Sequence, residues 1–163
     1  MKPHKKFIFL LVILVFVFAL VFPFLSPNWT LEINEIKAYF RPGVSLDFHP
    51  DFENVEKVVI GGPAVQMSHY DTSENGNAVY LTKMHIRQIT DYLNEQEFVK
   101  TQEDELPNKS PDYFINYYDE KGIIKRFTIY GEVFIKDLEE EKLYRIKNTK
   151  KGIMEGLKNL EFA

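Results

Sequence analysis

Residues 7–25 read Phe-Ile-Phe-Leu-Leu-Val-Ile-Leu-Val-Phe-Val-Phe-Ala-Leu-Val-Phe-Pro-Phe-Leu, 19 positions without a charge. A helix that is apolar on every side needs apolar surroundings on every side, so this stretch constrains the chain more than any other. At about 1.5 Å per residue it would measure roughly 28 Å, close to the hydrocarbon thickness of a bilayer. A cleavable leader is the rival reading, because a basic start before an apolar core is its signature. The run exceeds the usual leader core of about 7 to 15 residues. It also ends in Phe22-Pro23-Phe24-Leu25-Ser26-Pro27, where bulky side chains stand in place of the small pair that a peptidase reads. The expectation is a retained transmembrane anchor at residues 7–25 and single-pass residence in a plasma membrane.

Orientation follows from Lys2, Lys5 and Lys6, since short basic flanks stay cytoplasmic. Residues 1–6 are then a cytoplasmic stub, and residues 30–163 are an extracytoplasmic domain. Outside the three anchor lysines, 17 basic residues face 24 acidic ones, a charge of −7. Such a domain does not seek nucleic acid or anionic lipid, and its charge opposes self-association, so a monomer is expected. The chain has no cysteine, which excludes disulfides, thiolate metal sites and a lipid-modified cysteine. The expected partners are the membrane, through residues 7–25, and a membrane or envelope protein; no cofactor is implied.

Residues 30–163 contain no repeat and no dividing linker, so one domain is the economical reading. Leu31, Ile33, Ile36, Ala38 and Phe40 alternate with polar residues as a strand with one bulge. Glu56 to Ile60 reads as a second strand, stopped by Gly61-Gly62-Pro63. The polar stretch from His69 to Asn77 reads as an exposed loop. Thr82 offers a cap for a helix over Lys83 to Glu95, on which Met84, Ile86, Ile89 and Leu93 make an apolar stripe. From Phe98 the period becomes two. Strands follow at Phe98-Val99, Tyr113 to Tyr117, Ile123 to Tyr130, Glu132 to Lys136 and Lys142 to Ile146, with a tight turn at Asp119 to Gly122. Asn148 or Thr149 can cap a closing helix on which Ile153, Leu157 and Leu160 share a face. The fold class is therefore α+β: a single antiparallel sheet of five to seven strands covered by two helices, preceded by one transmembrane helix.

The succession Tyr113-x-Ile115, Gly122-Ile123, Phe127-x-Ile129, Val133-x-Ile135 and Tyr144-x-Ile146, with a short closing helix, resembles small membrane-anchored extracytoplasmic domains of unknown function from Gram-positive bacteria. The resemblance covers about residues 80–163. It implies location and fold type, and it transfers no site residue.

Asp47, His49 and Asp51 are spaced by two, so on an extended strand two hard oxygens and an imidazole would share a face and could hold a divalent cation. Pro42 and Pro50 make the segment an irregular loop, and a solvated loop is the expectation. His69-x-Asp71 has the spacing for a carboxylate that orients an imidazole, but no serine, cysteine or threonine is marked as its nucleophile. His85, off the apolar stripe, reads as a partly exposed helix residue. Gly61-Gly62-Pro63 lacks the lysine and hydroxyl of a phosphate loop and reads as a turn. Tyr113, Tyr117, Tyr118 and Tyr130 gather on the central hairpin, and the tyrosines that face away from the helices are the candidate binding surface. The leading functional reading is a non-catalytic binding or sensing domain at the membrane's outer face. The alternatives are a small surface hydrolase or metal-dependent enzyme using His49, His69 and the nearby aspartates, and an envelope immunity or inhibitor protein.

Overall fold

A computed structural model describes residues 11–15, 17, 40–46, 53–63, 67, 70–147 and 152–160. The chain divides after Phe40 into two units. In the first, residues 11–15 and 17 are helical, and Leu11 to Val15 are each between 44% and 63% exposed. Successive helical residues are rotated by about 100°, so five in a row point in every direction around the axis, and this turn buries no face. Among the described residues no helix is long and apolar enough to cross a membrane, which corrects the expected transmembrane helix at residues 7–25. The six described helical residues would by themselves rise about 9 Å, against about 30 Å of hydrocarbon. The rest of that run, and the strand expected from Leu31, lie outside the described residues, except for Phe40, which is helical.

The second unit, from Arg41, holds the sheet. Its strands are β1 (Val44–Ser45), β2 (Lys57–Gly61), β3 (Thr72–Glu74), β4 (Asn77–Tyr80), β5 (Glu97–Lys100), β6 (Tyr113–Asp119), β7 (Gly122–Tyr130), β8 (Phe134–Asp137) and β9 (Lys142–Ile146). They lie in the order β1-β5-β9-β8-β7-β6-β2-β4-β3, with every pairing antiparallel. Two α-helices, α1 (Lys83–Glu95) and α2 (Ile153–Lys158), and a single 3₁₀ turn at Glu103–Glu105 complete it.

The expected five to seven strands under two helices are thus corrected, among the described residues of this unit, to nine strands with three short helices. The three additional strands are β1, β3 and β4. β3 and β4 occupy the stretch read as a loop and the residues just after it. Asn75 (φ 54°) and Gly76 (φ 79°) form a turn with two positive φ angles, whose twist matches that of the strands it joins. The register Glu74↔Asn77 and Thr72↔Val79 follows from it. Ala78, Val79 and Tyr80 are buried, whereas β3 is exposed throughout, which is why only its turn chemistry betrays it. β1 is too short for any periodicity to show.

Along β6, Tyr113, Ile115 and Tyr117 face one side; β7 contributes Phe127 and Ile129 to it, and β8 contributes Ile135. On that side they pack with Ile86, Ile89 and Leu93 of α1 and with Ile153, Met154 and Leu157 of α2, most of them fully buried. Met84, read as part of the α1 stripe, is instead 45% exposed. A smaller cluster of Tyr130, Phe134 and Leu143 lies on the opposite face against Leu106 and Val133. α2 starts later than the Asn148 or Thr149 cap implied. Gly152 holds the cap position with no side-chain hydrogen bond, and the Ile153 N–H donates to the Glu132 carbonyl at 2.7 Å.

Candidate ligand-binding cleft

Strand alternation carries four charged residues onto the same face as the core. Lys100 lies two residues from Phe98, Lys125 two from Phe127, Asp137 two from Ile135, and Lys142 two from Tyr144. A cleft of about 350 Å³ opens at this end of the sheet, and among the described residues none of α1 or α2 lines it. It is lined by the rings of Phe127 and Tyr144, by Val44 and Ser45 of β1, and by Leu46 just after it. Lys100, Lys125, Asp137, Glu140 and Lys142 line the remainder.

The charges are ordered by pairing. Lys125 Nζ lies 2.5 Å from Asp137 Oδ2, with side chains only 18% and 9% exposed. The other Asp137 oxygen accepts the backbone N–H groups of Glu139 and Glu140, each at 3.1 Å. Both oxygens are therefore engaged, as a buried carboxylate requires. The Lys125 ammonium also stands 5.5 Å from the centre of the Phe127 ring. Lys142 Nζ donates to Glu140 Oε2 at 2.6 Å. That hydrogen bond holds the Glu140 carboxyl below its ordinary value and the Lys142 ammonium above its own. Burial, partly offset by Lys142, raises the Tyr144 phenol, so its hydroxyl keeps its proton at neutral pH. The Lys100 side chain makes no ion pair or hydrogen bond among the described residues. The backbone carbonyl of Lys100 accepts from Arg41 Nη1 at 3.3 Å, and Arg41 itself is paired with Glu105 at 3.0 Å.

The tyrosines of the central hairpin do not form one row. Tyr117 is fully buried, its hydroxyl 3.0 Å from Thr90 Oγ1, and burial pushes its phenol well above the usual range. Tyr113 shares that face and lies under Lys158, 5.7 Å from ring centre to ammonium. The register shifts between Tyr117 and Tyr118, and Tyr118 is capped by Lys57 at 4.7 Å. Tyr130 belongs to the cluster on the opposite face. Asp47, His49, Asp51 and His69 lie outside the described residues. Among the described residues no group of three or more histidine, cysteine, aspartate or glutamate side chains is placed to hold a metal ion.

Asp71 lies against the imidazole of His85, with Nδ1 2.6 Å from Asp71 Oδ1. The second oxygen, Oδ2, accepts the N–H groups of Leu81 and Thr82 at 2.5 Å each. The carboxylate thus ties the entrance of β3 to the first turn of α1. Tyr80 meets the His85 ring edge-on, 6.3 Å between centres. A helix start needs acceptors for its free N–H groups, so a clamp at the α1 entrance accounts for this arrangement.

None of the cleft residues was singled out by sequence reasoning. The available signal was a lysine two positions from an aromatic residue on a strand, at Phe98-x-Lys100, Lys125-x-Phe127 and Lys142-x-Tyr144, where alternation places a cation on the core side. No family model matches the chain, and neither a curated protein nor a solved structure matches it.

Proposed function

We propose that the unit from Arg41 onward is a non-catalytic binding domain that takes a small ligand in the cleft between β1 and the β5-β9-β8-β7 end of the sheet. Its place of work is the outer face of a plasma membrane. The observation that carries the reading is the cleft itself: an aromatic and aliphatic lining and a few ordered charges, in a volume at the lower end of ordinary ligand sites. The little-exposed Lys125–Asp137 pair costs desolvation and gives no stability over an apolar pair of the same shape. The exposed apolar turn Leu11–Val15 supports the membrane assignment, because such a surface is at home in lipid.

The test uses the full chain in a neutral maltoside detergent, with methyl NMR signals of Val44 and Leu46 as reporters. A mixture of small organic acids, alcohols and amines should shift them saturably, and a mixture that leaves both unmoved would overturn the binding reading. Protease added to intact spheroplasts should digest the domain. Its protection there would overturn the outer location.

A further inference from the structure

The structure assigns the cleft a ligand class: a carboxylate with a single negative charge and an apolar body. The inference rests on the cleft being a binding site, and it follows from which charges there are already spent. Asp137 is saturated by Lys125 and two backbone N–H groups. Glu140 is held by Lys142. Three ammoniums therefore face two carboxylates, and the one left over is Lys100, which has no side-chain partner among the described residues. Lys100 is exposed at the rim, and a ligand charge that leaves water to lie on the apolar surface must be paired, which an anion beside this ammonium is.

The remainder of the cleft describes the rest of the molecule. The largely buried rings of Phe127 and Tyr144 line it with aromatic carbon, and Val44 and Leu46 add aliphatic surface. A ring or short hydrocarbon chain fills that space, with its carboxylate toward Lys100 at the rim. A cationic ligand would meet three lysines. A doubly charged phosphate would keep one charge unneutralised against Asp137 and Glu140, and it has no apolar body to lay on the lining. A neutral alcohol of the same shape would fill the cleft and leave Lys100 unmatched.

The probes are benzoate, benzyl alcohol and inorganic phosphate, added to the full chain in neutral maltoside detergent with the Val44 and Leu46 methyl signals followed. Benzoate should bind saturably and about tenfold or more tightly than benzyl alcohol, the usual worth of a charge-assisted hydrogen bond. Lys100→Met, which keeps the side-chain stem, should reduce benzoate to the level of benzyl alcohol. Lys100→Arg should retain it, and Lys121→Met, in the distant β6–β7 turn, should match the parent. Equal binding of benzoate and benzyl alcohol, or unchanged benzoate binding by Lys100→Met, overturns the carboxylate assignment while the cleft remains a binding site. Phosphate displacing benzoate at equal concentration overturns the need for an apolar body. If no probe moves the methyl signals in a parent that melts cooperatively, the cleft is not the ligand site and both readings fall.

Discussion

Asp71 illustrates how one side chain can join two elements. Burial alone would raise its carboxyl, but hydrogen bonds from the Thr82 and Leu81 N–H groups, the Thr82 hydroxyl and His85 outweigh that, and the net shift is downward from 3.8. A carboxyl depressed by folding contributes stability that is complete above its unfolded value and lost as pH falls through its folded one. Asp71→Asn should therefore cost about 1 kcal/mol at neutral pH, the usual worth of a helix-start acceptor. The gap between parent and variant should close as pH falls below the ordinary carboxylate value and the parent's own depressed carboxyl protonates. Thermal melts of both proteins from pH 7 downward check this, and a gap independent of pH would refute it. Gly156 is the second such residue. A Cβ built there would overlap the Tyr92 hydroxyl, whose phenol is raised by burial and then by Glu155. Alanine gains about 1 kcal/mol of helix propensity over glycine, while overpacking costs about 1–3 kcal/mol, so the clash decides the sign. Gly156→Ala should destabilise the chain in chemical denaturation, and Tyr92→Phe in the same molecule should restore only part of the loss, because the Cζ and Cε2 ring carbons also crowd that Cβ, whereas Tyr92→Ala should remove the clash altogether.

At the scale of elements, the closing helix carries the clearest contrast. Leu157 is fully buried against the sheet, whereas Lys158 only reaches over the Tyr113 ring. Leu157→Ala should cost about 2–5 kcal/mol and Lys158→Ala no more than about 1 kcal/mol. Equal denaturation midpoints for the two would mean that the helix is not packed as described. Elements of this kind were legible because a period of 3.6 or 2 survives in the residues themselves: α1 ends where Ile86, Ile89 and Leu93 said it should, and β9 spans Lys142–Ile146 as its alternation implied. β3 escaped because Thr72, Ser73 and Glu74 are all solvated and carry no pattern, although Asn75-Gly76 is a strong hairpin signal on its own. The separate surroundings of the tyrosines were hidden for a related reason. Alternation tells which residues share a face, but not that α1 would bring Thr90 over Tyr117, nor that the register would shift before Tyr118.

For the whole molecule, the cleft was the part least visible in the residues, since it forms between β1 and strands that lie more than fifty positions later. Sequence periodicity carries no information about which strand becomes whose neighbour. The strand order has a further consequence, which concerns time. β6, β7, β8 and β9 are consecutive neighbours within residues 113–146, so their pairing closes only short loops. β2 must instead find β6 from Val58 to Tyr117, and β5 must find β9 from Val99 to Arg145. These two flanking strands stand on opposite sides of the meander, and the chain between β4 and β5, α1 included, has to cross it. Closing a long loop costs entropy before any contact repays it, so the four-strand meander should assemble first and serve as the template on which both flanks condense. Ile129→Val and Ile135→Val should then act mainly by slowing refolding, with φ values of about 0.5–0.8. Val58→Ala and Phe98→Leu should act mainly by hastening unfolding, with φ values below about 0.3. Stopped-flow refolding and unfolding across a denaturant series separates the two groups, and the opposite partition would show that the flanks, not the meander, organise the rate-limiting state.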